Sequence, residues 1–227
     1  MTMANTVTRL FDNYADAESA VAELERIGIP ERDISLIANN RDNAHDHRIA
    51  GSGDRVDSKP GAAGGEATKD AGKGAGIGGL VGGAGGLLAG LGMLAIPGIG
   101  PVVAAGWLAS TAAGALAGAA VGAAGGGLIG ALTHAGIPRE DAEVYSEGVR
   151  RGGTLVSVRV DDQRQDKVRM TLDRYRGADA VGRGRAYRER GWSEYKEDAE
   201  PYTAEEVERE RGRYGSDLSG ASITGDR

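Results

Sequence analysis

The sequence predicts an α+β fold, a ferredoxin-like split sandwich interrupted at its midpoint by a long glycine-zipper helical hairpin and followed by a charged, partly disordered tail. Three observations predict it. Strand–helix–strand patterns recur on either side of the middle of the chain, and that order matches a split sandwich. Between residues 74 and 138 there is no Lys, Arg, Asp or Glu. Within that stretch Gly74, Gly78, Gly82, Gly86 and Gly90 form one ladder, and Gly114, Gly118, Gly122, Gly126 and Gly130 form another. A four-residue step places each set along one face of a helix.

The elements follow from local chemistry. Residues 6–11, Thr-Val-Thr-Arg-Leu-Phe, are β-prone and read as a first strand. Asn13 is placed to cap a helix running to about Ile27, with Ala17, Ala20, Val21 and Leu24 on one face and Gly28 as its stop. Residues 33–38, centred on Ile34, Leu36 and Ile37, read as a second strand. Residues 39–73 are polar and rich in Gly, Ala and Asp, which suits a flexible tether.

The uncharged stretch comes next, at 74–137. Pro97, Gly98, Gly100 and Pro101 break helical periodicity between the two ladders, so they are the expected hairpin turn. A glycine inside a helix costs about 0.8–1 kcal/mol relative to alanine, so an arm with roughly ten of them is unstable alone in water. Close packing along a small-residue seam, or a bilayer, offsets that cost. The first arm would be ~35 Å long against a hydrocarbon core of ~30 Å, and the second longer still.

After the hairpin, Pro138 suits a first helical position, with Glu140 and Asp141 near the positive end of the helix dipole. Ala142, Tyr145 and Val149 share a face, and Gly152 and Gly153 end the helix. Val156, Val158 and Val160 then alternate as a strand. Asp162 is placed to cap a helix burying Val168, Leu172 and Tyr175, and residues 178–181 are a candidate short fourth strand. The organisation is therefore 1–38 and 138–182 as two halves of one domain, 39–73 as tether, 74–137 as hairpin and 183–227 as tail. In the tail, Thr203 and Glu206 make a capping box for a short helix, and residues from Gly215 onward look disordered.

Composition narrows the chemistry. Aromatic residues are 4% of the 227, glycines number 39, and there is no cysteine, so thiolate and disulfide chemistry are excluded. The net charge of −6 is interspersed and makes no general case for nucleic-acid binding. Gly74-Ala75-Gly76-Ile77-Gly78-Gly79 matches a dinucleotide fingerprint in letters but follows a polar tether rather than a strand. His45, Asp46 and His47 lie on the tether, and His134 near the end of the second arm; neither place offers a rigid metal site. No catalytic, cofactor-binding or metal-binding residue is expected, and no small-molecule substrate. Arg183, Arg185, Arg188 and Arg190 with Tyr187 and Trp192 make the one basic, aromatic patch, balanced by Glu194, Glu197, Asp198 and Glu200.

Several runs together resemble the bacterial general stress proteins that carry a heat-induced stress-protein domain. These are Val7-Thr8-Arg9-Leu10-Phe11-Asp12-Asn13, then Ala17 to Val21 with Leu24, the Gly28-Ile29-Pro30 joint, the glycine-rich insertion, and the run from Tyr145 to Val156. The resemblance implies a role in general, heat, osmotic or desiccation stress and brings no established catalytic residues; with no catalytic set in the sequence, the protein is expected not to be an enzyme. Combined with the ladders, the expectation is a protein that associates with the cytoplasmic membrane and with copies of itself. Lys69, Lys73, Arg139, Arg150 and Arg151 flank the hairpin, which puts both termini in the cytoplasm. The alternative is a soluble cytoplasmic homo-oligomer with the hairpin as its assembly core.

Overall fold

The computed structural model describes residues 5–42, 92–96, 98–118 and 127–216. It is a mixed α+β fold around one antiparallel five-stranded sheet. The strands are β1 (Asn5–Phe11), β2 (Ile34–Asn39), β3 (Gly92–Ile96), β4 (Gly100–Gly106) and β5 (Thr154–Val160), in the order β1-β5-β2-β4-β3. The helices are α1 (Tyr14–Arg26), α2 (Trp107–Gly118), α3 (Gly127–His134), α4 (Arg139–Arg150), α5 (Asp162–Arg174), α6 (Ala180–Arg188) and α7 (Ala204–Ser216).

The first strand, helix and second strand lie where their residues predict. Asn13 accepts a hydrogen bond from the Ala15 amide at 2.9 Å, and α1 buries Ala17, Ala20, Val21 and Leu24. These side chains pack with Val7, Phe11, Ile34, Leu36, Val156, Val158, Val160, Val168 and Leu172 into a core on one face of the sheet. α1 and α5 form that layer. The strand period of two sends Leu10, Ile37, Val102 and Leu155 to the opposite face, under α2, α3, α4 and α6. At Gly148 of α4 a Cβ would stand 2.2 Å from Leu10 Cδ2, so the helix lies directly on β1 only because no side chain intervenes.

Residues 92–106 form a β-hairpin where the turn of a helical hairpin is expected. Gly92–Ile96 and Gly100–Gly106 are strands, paired with Leu94 opposite Val102, and β4 continues onto β2 with Val103 opposite Ala38. The turn at Gly98 and Ile99 therefore joins two strands, and Gly100 and Pro101 open β4. The physical reason is that Val102, Val103, Ala104 and Ala105 find a half-built sheet beside β2, and a buried apolar run takes whichever period its neighbours offer. Helix resumes only at Trp107, and α2 and α3 are 12 and 8 residues long. No helix among the described residues is long and apolar enough to cross a membrane.

Smaller corrections have local causes. Asp161, not Asp162, caps α5, because its carboxylate reaches the Arg164 amide at 3.0 Å. Pro138 is the N-cap of α4 rather than its first residue. The candidate fourth strand shrinks to a single bridge, Leu10 to Ala178, since Asp179 caps α6 at the Gly182 amide and starts the helix at once. Gly215 and Ser216 close α7, and the rest of the expected disordered tail lies outside the described residues.

Candidate functional site

Many residues singled out in the sequence lie outside the described part of the chain. This holds for Gly74, Gly78, Gly82, Gly86, Gly90, Gly122, Gly126, Pro97, His45, Asp46 and His47. Gly114 and Gly118 sit in α2 and Gly130 in α3, two helices that pack on each other. His134 ends α3 and is exposed. The basic, aromatic patch is half interior: Arg183 is buried against Asp12 at 2.6 Å, and Tyr187 is buried with Trp192 packed edge-on at 6.0 Å. Only Arg185, Arg188 and Arg190 of that patch are exposed.

What the structure does assemble is a polar network at one end of the sheet. There the end of α4, the end of β2, the β3–β4 turn and the α4–β5 turn meet under the C-terminal arm, residues 191–216. Glu147 is fully buried and holds two arginines, Arg150 of its own helix at 2.8 Å and the C-cap residue Arg151 at 2.6 Å. Helical spacing of three and four residues puts all three on one face. Arg151 continues to Glu210 of α7 at 3.0 Å, and Glu210 also takes Arg213 at 2.7 Å. Arg211 donates to the Gly152 carbonyl at 2.8 Å, to the Asn39 carbonyl at 3.3 Å and to Asp42.

Tyrosine rings complete the enclosure. Tyr202 lies 5.2 Å from the Arg150 guanidinium and 5.7 Å from that of Arg151; Tyr195 faces Arg150 at 5.7 Å and Tyr187 faces Arg151 at 4.5 Å. Cation–π contacts of this kind are strongest where water is excluded. Burial pushes the Tyr195 phenol up to about 12, and that of Tyr202 up as well. Burial works against the Arg151 charge, yet Glu147, Tyr202 and Glu210 hold its pKa above the ordinary guanidinium value. Trp192 Nε1 and Arg150 Nε are buried with no hydrogen-bond partner among the described residues.

Two glycines let the arm lie this close. A Cβ on Gly98, whose φ is +74°, would meet the Glu197 carbonyl oxygen at 2.6 Å. One on Gly152, at φ +100°, would meet Val207 at 2.5 Å. Val207 itself is fully buried, and the Thr203–Glu206 capping box sets the start of α7, with the Thr203 amide donating to Glu206 at 2.8 Å.

Chemically, the carboxylates and guanidiniums are taken up by one another. The network clamps the arm to the sheet and fixes the β3–β4 turn beneath it. Glu147, Arg150, Arg151, Tyr195, Tyr202, Glu210 and Arg211 were not singled out as a site in the sequence. The spacing of Glu147, Arg150 and Arg151 was a visible signal; that this face points inward was not.

Away from the network, β3 forms one edge of the sheet. Met93 is 53% exposed, Ala95 is exposed and Leu94 is half-buried. The opposite edge, β1, is closed by the chain itself: Leu10 exchanges backbone hydrogen bonds with Ala178 at 3.0 and 2.8 Å, and the Thr8 carbonyl accepts from Tyr145 Oη at 2.8 Å. Comparison of the chain with protein-family models, curated proteins and solved structures finds no match.

Proposed function

We propose that the protein is a non-enzymatic, self-associating scaffold of a bacterial general stress response, built on a ferredoxin-like core. The observation that carries this reading is the use made of the uncharged stretch. β3, β4, α2 and α3 contain no Lys, Arg, Asp or Glu, yet they join the sheet of the charged halves and bring an apolar strand to its outer edge. An uncharged strand at a sheet edge is a ready-made template for pairing with another chain.

The core assignment draws on strand order. Ala178, β1, β5 and β2 lie side by side and antiparallel, the arrangement of a split sandwich whose last strand has shrunk to one bridge. The stress role draws on the resemblance of the runs at Val7–Asn13 and Tyr145–Val156. The non-enzymatic reading draws on the polar network, whose charges bind the arm rather than face an open cleft.

Sedimentation velocity of the full chain, with cell fractionation under alkaline wash, tests the scaffold. Concentration-dependent assembly released by the wash is the expected result. A monomer at every concentration overturns it, and retention in washed membranes replaces it with a bilayer-embedded protein. A deletion strain should lose heat or desiccation tolerance, restored by the wild-type chain.

A further inference from the structure

We infer that β3 is a two-fold pairing edge: it binds β3 of a second copy antiparallel, with Leu94 opposite Leu94, to make one ten-stranded sheet. The inference rests on the self-association proposed above and names its surface.

The backbone phase of β3 follows from a proline. Ala95 stands opposite Pro101 in the β3–β4 ladder, and Pro101 has no N–H to give. Its carbonyl is turned the other way, accepting from the Asn40 amide at 2.9 Å on the β2 side. Ala95 and Pro101 are therefore a non-hydrogen-bonded pair, and by alternation so are Met93 and Val103. Gly92, Leu94 and Ile96 face their backbone groups to β4. Met93 and Ala95 face theirs outward, where no described strand lies.

That outward pattern is its own complement. With Leu94 opposite its copy, Met93 falls opposite the second copy's Ala95, and the reverse holds by symmetry. Each such pair exchanges an N–H and a C=O, giving about four new hydrogen bonds. Charge favours the same occupant. Two copies each carrying −6 repel unless they meet where no charge lies, and β3 is Gly-Met-Leu-Ala-Ile. Leu94 is partly buried against the core on the helix-rich face of the sheet, so its copy extends that apolar layer across the join. The β1 edge, bearing Arg9 and closed by Ala178 and Tyr145, offers none of this.

The absence of cysteine makes the register directly testable. In the proposed pairing Leu94 and its copy form a non-hydrogen-bonded pair, with Cα atoms ~4.5 Å apart, inside the range a disulfide bridges. In the full-length chain, Leu94→Cys should cross-link to a dimer under mild oxidation, and Gly92→Cys should not. Ala95→Pro removes an outward N–H without touching the β4 ladder, so the dimer dissociation constant should rise at least about tenfold, while the thermal midpoint at concentrations where both chains are monomeric stays unchanged. A dimer that survives Ala95→Pro, or that cross-links through Gly92→Cys and not Leu94→Cys, overturns the edge and leaves self-association standing. A wild-type chain that stays monomeric overturns both. Slow amide exchange at Met93 and Ala95 in that monomer would mean that the chain covers the edge itself.

Discussion

At the β1 edge the outward carbonyl of Thr8 is capped by Tyr145, and Leu10 gives both its backbone groups to Ala178. Tyr145 also accepts from the Ala180 amide at 3.2 Å, so one phenol ties α4, β1 and α6 together. At the β3 edge, Met93 and Ala95 meet no such cap among the described residues, and their side chains are exposed. One edge is finished by long-range contacts from the charged halves of the chain. The other is supplied by the uncharged stretch, paired to β4 along its length and covered at its turn by the C-terminal arm. The same sheet thus carries one edge closed by the chain and one left open among the described residues, with the arm's polar network lying over the turn of the open side.

The largest expected effect comes from cutting that network. Arg151→Met takes away the cation that Glu147 and Glu210 share, leaving Arg150 on one and Arg213 on the other, and the loss of two charge-assisted hydrogen bonds costs about 3 kcal/mol. Chemical denaturation should show that loss, and amide exchange should quicken at Leu94 more than at Val7. Equal acceleration on both edges would break the idea that the arm serves the β3 side.

Tyr145→Phe attacks the closed edge instead. It removes one of the two donors to the Thr8 carbonyl, Arg9 Nη1 remaining at 3.0 Å, and the acceptor of the Ala180 amide, and the expected cost is about 1–3 kcal/mol, read from the same denaturation curves. The same phenol gives an alkaline signature, since burial raises its pKa to about 12 from 10.0. Its contribution is whole below pH ~10. As pH rises through the folded value the unfolded chain ionises first, and stability falls by roughly 2–3 kcal/mol. Tyr145→Phe should blunt the fall between pH 10 and 12 in a stability–pH series; an unchanged slope would remove Tyr145 from the account.

Much of the charged half was legible because local chemistry decides it. Asn13 caps a helix, Gly28 ends one, and Val156, Val158 and Val160 alternate whatever surrounds them. The uncharged stretch was not, because its residues carry two periods at once. Glycines in steps of four suggest helix, while Met93 to Ile96 and Val102 to Ala105 around a proline-glycine turn equally suggest a β-hairpin. Sheet neighbours settled that choice, with β2 drawing β4 beside it. The polar network needed the fold as well. Glu210 meets Arg151 across 59 residues and Arg211 meets Asp42 across 169, separations no local pattern encodes.

The smallest expected effect belongs to the open edge. Met93→Lys puts a charge on an exposed position and should change monomer stability by no more than about 0.5 kcal/mol, while weakening assembly. A thermal melt at low concentration would show a large loss if β3 were instead packed into the core.

The contrast between the edges is tested most directly by residue-resolved amide exchange of the full chain at two concentrations. Met93 and Ala95 should be protected at high concentration and exchange freely on dilution, while Leu94, bonded to β4, and Leu10, bonded to Ala178, stay protected throughout. Protection at Met93 and Ala95 that does not change with concentration would contradict that contrast.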